Sequence, residues 1–153
     1  MDKLYTALGL MSGTSLDGID ASILISDGEN NIDIKRNTYL PYDQAFKRVL
    51  GNYINSIHNL DDIQNSQAEY KNIERQLTLK HIEISKNIIN DYNNKVDLIG
   101  FHGQTIIHRP TEKYSVQMGD AKLLSQLLKT KVIYNFRYLD IKNGGNGAPL
   151  ASI

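Results

Sequence analysis

The chain has no cysteine, which removes disulfides, thiolate zinc sites and a cysteine nucleophile at once. It has no excess of charge either. Lys and Arg number 17 and so do Asp and Glu, so no general field draws it to nucleic acid or an anionic membrane, and phosphate binding has to be built locally. Long apolar runs are missing too: the stretch MDKLYTALGLMSGTS is broken by polar residues and glycine too early for a secretory h-region or a membrane span. The expectation is a cytoplasmic protein. No repeat or linker marks a second domain, and 153 residues with 41% hydrophobic and 22% charged side chains suit one globular domain. Such a domain buries roughly two thirds of the surface of its unfolded chain.

What is present changes period along the chain. Leu4 to Leu10 is apolar or β-compatible, Ser12 to Gly18 is turn-like, and Ile19 to Ile25 is apolar again, with Asp17-Gly18 as a hairpin signal. A second turn at Ser26 to Asn30 leads to Ile32, Ile34 and Tyr39-Leu40-Pro41, so three antiparallel strands open the domain. From Asp43 the spacing of Phe46, Val49, Leu50, Tyr53, Ile54 and Ile57 is helical, and after Asp61 one longer helix carries Ile63, Tyr70, Ile73, Leu77, Ile84, Ile88 and Ile89. Val96 to Phe101 reads as a short strand running into His102-Gly103-Gln104-Thr105. Tyr114 to Met118 and Lys131 to Phe136 read as further strands, with a helix through Leu123 to Leu128 between them. The segment 143–150 is loop-like.

The strongest local signal is MSGTSLDGID, Met11 to Asp20, set between two strands. Gly13 and Gly18 allow close approach of backbone amides to an anion, and Ser12, Thr14 and Ser15 add hydroxyl donors. It is not a P-loop, which ends in Gly-Lys-Ser/Thr and opens a helix. Asp17 and Asp20 set carboxylates beside the anion site, which fits a divalent metal between them and the phosphates. The same residues also make an ordinary hairpin with capping hydroxyls and solvated carboxylates.

Three further groups carry possible chemistry. His102, Gln104 and Thr105 at a strand end have the donors and acceptors to bind sugar hydroxyls or orient a carboxylate. His102 and His108 do not form a recognised zinc spacing, and His108 alone reads as structural. Gln117-Met118-Gly119-Asp120 offers amides and an acceptor where a helix begins, or simply an N-cap. In Asn135-Phe136-Arg137-Tyr138-Leu139-Asp140, Arg137 suits an anionic ligand and Asp140, on a loop, suits a general base. Singly, each is a surface charge.

Together and in this order, the turn within Gly9 to Asp20, FHGQTIIHRP, QMGD at 117–120 and FRYLDIKNGGNGAPL resemble the anhydro-N-acetylmuramic acid kinase family, over almost the whole chain. The resemblance implies an α/β fold with a ribonuclease-H-like mixed sheet, antiparallel opening strands followed by α/β units and flanked by helices, as in an actin-like ATPase lobe. It implies ATP and Mg2+, and a reaction in which water opens the anhydro bridge of 1,6-anhydro-N-acetylmuramic acid while O6 receives the γ-phosphoryl group. By motif position, Asp140 is the base that activates the water. Ser12, Gly13, Thr14, Ser15, Leu16, Asp17, Gly18, Ile19 and Asp20 contact ATP phosphates, with Asp17 holding magnesium. His102, Gly103, Gln104, Thr105, Gln117, Gly119, Asp120 and Arg137 line the sugar site.

Two departures stand out. The family usually has Asp where this chain has Asn135, which removes a charge beside Arg137. The family enzyme also continues into a second lobe with another phosphate loop and the adenosine pocket, so the expectation is an N-terminal lobe of a two-lobe kinase. Partners implied are the amino sugar, a separately encoded C-terminal lobe and a family-like homodimer, with no nucleic acid and no membrane. A non-catalytic amino-sugar-binding module or an inactive remnant of a split gene stays open beside this. The face meeting a second lobe is expected to be apolar.

Overall fold

The computed structural model describes residues 3–148. Pro149 and Leu150, at the end of the loop-like segment, lie outside that range. The expected opening is observed: β1 (Tyr5–Ser12), β2 (Gly18–Ser26) and β3 (Ile32–Pro41) pair as an antiparallel meander. Alternation explains their sidedness. Leu8 and Leu10 of β1 and Ile19, Ala21 and Ile23 of β2 are buried on one face, while Gly9, Met11 and Asp20 between them are exposed.

Helix α1 (Gln44–Ser56) starts at Asp43, whose carboxylate accepts the Phe46 amide at 2.8 Å and so satisfies one of the free N–H groups of the first turn. The single long helix expected after Asp61 is two helices, α2 (Leu60–Gln64) and α3 (Gln67–Tyr92). The break falls at Asn65-Ser66, where the Ser66 hydroxyl donates to the Asp62 carbonyl at 2.7 Å and also bonds the Tyr53 hydroxyl at 2.8 Å. Local side-chain bonding of this kind competes with the helical ladder.

Strand β4 (Leu98–Phe101) begins two residues later than Val96 and pairs parallel to β1. The next segment is itself a strand. β5 (Gln104–Arg109) and β6 (Tyr114–Met118) form a separate two-stranded hairpin joined by a 3₁₀ turn at Pro110–Glu112. Helix α4 (Ala121–Leu128) follows, capped by Asp120. β7 (Lys131–Tyr134) stops two residues before Phe136 because Asn135 turns the chain with φ 62°. The segment then forms a short helix, α5 (Tyr138–Lys142), so Asp140 lies on a helix and not on a loop.

The main sheet has the order β3-β2-β1-β4-β7, with β4 and β7 parallel to β1. This mixed α/β sheet flanked by helices is consistent with an actin-like ATPase lobe. The buried face meets Ile73, Leu77, Ile84 and Ile88 of α3 and Leu124 of α4 in one core. On the other face Ser22, Gly9 and Gly100 stand side by side in register across three strands. This face is open.

Candidate functional site

The turn between β1 and β2 is held from behind. Ser12 is buried, and its hydroxyl bonds the Tyr42 hydroxyl at 2.8 Å and the Gln104 side-chain oxygen at 2.5 Å. The Gln104 amide nitrogen donates in turn to the Gly13 carbonyl at 3.3 Å. Burial pushes the Tyr42 phenol up to about 12, so it stays protonated and available for this network. Gln104 is fully buried. The structure therefore sets Ser12 and Gln104 as pins beneath the turn, with their polar atoms turned to protein partners.

Within the turn, Leu16 N–H donates to the Gly13 carbonyl at 3.2 Å and the Asp17 carbonyl accepts from Tyr42 N–H at 2.8 Å. The amides of Thr14 and Ser15 donate to no acceptor among the described residues. The exposed, free part of the sequence motif is thus 13–17. Gly18 and Ile19 belong to the β-ladder, and the Ile19 side chain is fully buried in the core. Gly18 serves packing: a Cβ there would sit 2.2 Å from the Leu40 carbonyl oxygen. Neither Gly13 nor Gly18 has positive φ. The left-handed residue is Leu16, at φ 57°, a conformation that costs a side-chain-bearing residue about 1–2 kcal/mol. Its side chain reaches Gly51 of α1, where a Cβ would meet Leu16 Cδ1 at 3.6 Å, and this packing holds the strained backbone.

Asp17 projects from the turn with its carboxylate paired to Lys47 at 2.5 Å. That ammonium first, and the Ser15 hydroxyl second, hold its carboxyl below the usual carboxylate range. Among the described residues no cluster of three His, Asp or Glu side chains is placed to hold a metal by itself. A lone exposed carboxylate does suit magnesium bound jointly with ligand phosphates and water. Asp20 lies elsewhere, on the open sheet face.

That face forms the floor of a cleft of about 540 Å³, where Gly9, Met11, Asp20, Ser22 and Gly100 meet walls made by His102, Phe136, Arg137 and Gly147. Arg137 Nε donates to His102 Nε2 at 2.9 Å and an Arg137 terminal nitrogen donates to the Gly147 carbonyl at 2.8 Å. His102 Nδ1 faces the Gly103 carbonyl at 3.0 Å, which only a protonated Nδ1 can bond, so Nε2 is the acceptor and the ring is neutral. Burial, with the Arg137 charge adding to it, pushes its pKa down. Both Arg137 partners carry no charge, and among the described residues it forms no ion pair, so it keeps a full positive charge on the cleft wall. Asn135 is not among its hydrogen-bond partners.

A smaller cavity of about 230 Å³ shares the His102 wall and is lined also by Gln117, Gly119 and Asn135. Gln117 donates to Ser115 at 2.7 Å and to Thr105 at 3.3 Å, and Ser115 bonds His108 at 2.9 Å, a row of polar contacts across the hairpin. Gly103 is required here: its φ is +75° and a Cβ would lie 2.3 Å from the Met118 carbonyl oxygen. Asp120 caps α4, accepting the Leu123 amide at 2.9 Å.

Asp140 stands one step back. Its carboxylate accepts the Gly147 amide at 2.7 Å, and Gly145 packs so close that a Cβ would fall 2.3 Å from it. Arg137 and Gly147 line the large cleft, whereas Asp140 does not.

Behind the site, α3 carries a buried feature with no sequence signal. Glu74, Thr78, His81 and Ser85 form a buried polar stripe on α3. Residues of this type at helical spacing read as a solvated face, and only the position of α4 and the QMGD junction over them reveals their burial.

A family model described as anhydro-N-acetylmuramic acid kinase matches residues 5–153. Relatives of that name are 52% identical over 153 residues in Pelagibacter ubique, covering 100% of this chain, and 39% and 37% identical over 98% of it in Rhizobium etli and Agrobacterium fabrum. The chain spans 41% of the length of each of these relatives. With the family model running from β1 through the glycine loop, the chain belongs to the anhydro-N-acetylmuramic acid kinase family.

Proposed function

We propose that this chain is a nucleotide- and sugar-binding lobe of a cytoplasmic two-lobe kinase that acts on 1,6-anhydro-N-acetylmuramic acid in cell-wall recycling. The observation that carries the reading is the cleft in which His102 and Arg137, 35 residues apart, are joined at 2.9 Å beside an open floor of Gly9 and Gly100. The floor glycines leave room for a sugar ring, the Asp20 carboxylate beside them can accept from its hydroxyls, and a cation with neutral partners suits an anionic group on it.

Each residue then has a task. The free amides of Thr14 and Ser15 and the hydroxyls around them receive ATP phosphates, and Asp17 would be the residue to hold magnesium beside them. Magnesium supplies charge neutralisation for phosphoryl transfer. Arg137, His102 and Gln117 bind and orient the sugar. Asp140 removes a proton from water as the water oxygen bonds the anomeric carbon; the anomeric C–O6 bond breaks, and O6 takes the γ-phosphoryl group as ADP leaves. Ser12 and Gln104 hold the phosphate turn in shape.

The remaining three-fifths of the relatives' length would supply the opposing lobe and the adenosine pocket. Tyr134, Tyr138 and Leu139, each more than half exposed on the segment beside the cleft, fit a surface that such a lobe covers. ATP-dependent phosphorylation of the anhydro sugar tests this, using the chain alone and mixed with the separately expressed remainder of the Pelagibacter relative. Turnover is expected in the mixture only. Robust turnover by the chain alone would refute the two-lobe reading, and none in either would refute the kinase reading.

A second reading, an amino-sugar-binding module, is favoured by the Asp140 carboxylate being bonded to Gly147 and absent from the cleft lining. Tight sugar binding unaffected by the remainder, with no turnover, would select it.

A further inference from the structure

The QMGD junction is fixed by a helix far away in sequence. Glu74, 9% exposed, accepts the Gly119 amide at 3.3 Å, and Thr78, 0% exposed, accepts the Asp120 amide at 3.0 Å, across 45 and 42 residues respectively. These amides sit where β6 ends and α4 begins, so the two ladders do not both serve them. Thr78 also donates to the Glu74 carbonyl at 2.7 Å, which locks the orientation of its hydroxyl. On the other side the junction is closed by Phe101, whose ring would lie 2.5 Å from a Cβ at Gly119. The ring of Phe101 in turn stands edge-on to His81 at 5.1 Å, one turn further along α3.

The consequence is directional. Gly119 and Gln117 line the cavity that shares its wall with His102, and Gly103 packs against the Met118 carbonyl between them. A shift of the junction by an ångström therefore moves Gln117, Gly119 and the His102 loop together.

We propose that Glu74 and Thr78 are positioning residues that hold the 117–120 junction in the geometry its ligand requires. They touch no ligand themselves; they act through the amides of Gly119 and Asp120. This rests on the reading of the cavity beside His102 as part of the sugar site.

The test uses Thr78→Val, nearly isosteric and lacking the acceptor, and Thr78→Ser, which restores it. Glu74→Leu and Glu74→Gln form the matching pair, and Ser85→Ala, whose hydroxyl among the described residues bonds only the His81 carbonyl of its own helix at 2.6 Å, is the control. Two quantities are read: the Kd for 1,6-anhydro-N-acetylmuramic acid by calorimetry, and hydrogen exchange at the Gly119 and Asp120 amides. Removing an acceptor from a buried N–H is expected to weaken sugar binding about tenfold and to speed exchange at those amides in Thr78→Val. Thr78→Ser and Glu74→Gln should recover both, and Ser85→Ala should change neither. If Glu74→Leu does not fold, the Thr78 pair alone decides. Unchanged affinity in folded Thr78→Val overturns the proposal, even where exchange becomes faster. If the unaltered chain binds no sugar, the sugar-site reading fails on its own account. The junction claim is then decided by exchange: faster Asp120 exchange in Thr78→Val upholds it and unchanged exchange overturns it.

Discussion

The two glycine-bearing segments of this chain look alike in sequence and are built on opposite plans. In the turn at 13–17 the one glycine has no conformational need: Gly13 has ordinary φ, a Cβ there would make only ordinary contact with Ser15 Oγ at 3.9 Å, and the strained residue is Leu16, held by packing. In the loop at 144–147 the glycines are the structure. Gly144 and Gly147 have φ of 91° and 73°, and Gly145 leaves room for the Asp140 carboxylate. The first segment is shaped from below, by Ser12, Gln104 and Tyr42, and among the described residues leaves the Thr14 and Ser15 amides free. The second has its amides bonded back to α5: Gly147 to the Asp140 carboxylate, Gly145 to the Asp140 carbonyl and Gly144 to the Ile141 carbonyl. A glycine-rich sequence therefore does not by itself mark an anion cradle; what marks it is which amides remain unpaired once the support is in place.

Substitutions can break this contrast. The largest effect is expected at the base of the first segment, where Gly18→Ala drives a methyl against the Leu40 carbonyl and the Pro41 Cα, at 2.2 and 2.8 Å. Neither is a flexible group, so denaturant unfolding should show a loss of about 3 kcal/mol; a loss under about 1 would mean that β3 yields freely.

Acid sharpens the contrast by acting outside both segments, on α3, where His81 packs against Phe101 of β4. His81 is fully buried, its Nε2 has no partner among the described residues, and burial pushes its pKa down to about 4 from 6.5. The unfolded chain therefore binds a proton that the folded one refuses. Stability is full above pH 6.5 and falls as pH drops toward 4, by about 3 kcal/mol in total. Urea unfolding across that range should show the slope in the unaltered chain and a shallower one in His81→Leu. Gly13→Ala and Gly145→Ala should keep the full slope, since neither segment touches His81.

Next comes support of the turn. Gln104→Leu removes one of two partners from the Ser12 hydroxyl and one of two from the Gly13 carbonyl, and should cost about 1–3 kcal/mol. It should also weaken ATP binding measured by calorimetry. The smallest effect is Gly13→Ala, within about 0.5 kcal/mol, whereas Gly145→Ala should exceed it because the Asp140 carboxylate must move. Equal effects of these two would erase the contrast.

Much of the fold could be read from the chain because its opening strands alternate cleanly and α1 has a clear helical period. β5 escaped because its buried residues Ile106 and Ile107 are consecutive, a register shift that spoils alternation. The break between α2 and α3 escaped because Asn65 and Ser66 sit among other polar residues and differ from them only in what their side chains bond. At the site, motif order identified the family, and Arg137 and His102 do come together. Leucine in a left-handed turn has no sequence signature, and the pinning roles of Gln104 and Thr78 depend on partners 42 or more residues away.

The most direct measurement is an amide shift map of the isotopically labelled chain, titrated first with 1,6-anhydro-N-acetylmuramic acid and then with ATP and magnesium. The account predicts that the sugar perturbs His102, Gly119, Arg137 and Gly147 and that the nucleotide perturbs Thr14, Ser15 and Asp17. Perturbations from both ligands on one segment, or from the sugar only outside the His102–Arg137 cleft, would contradict it.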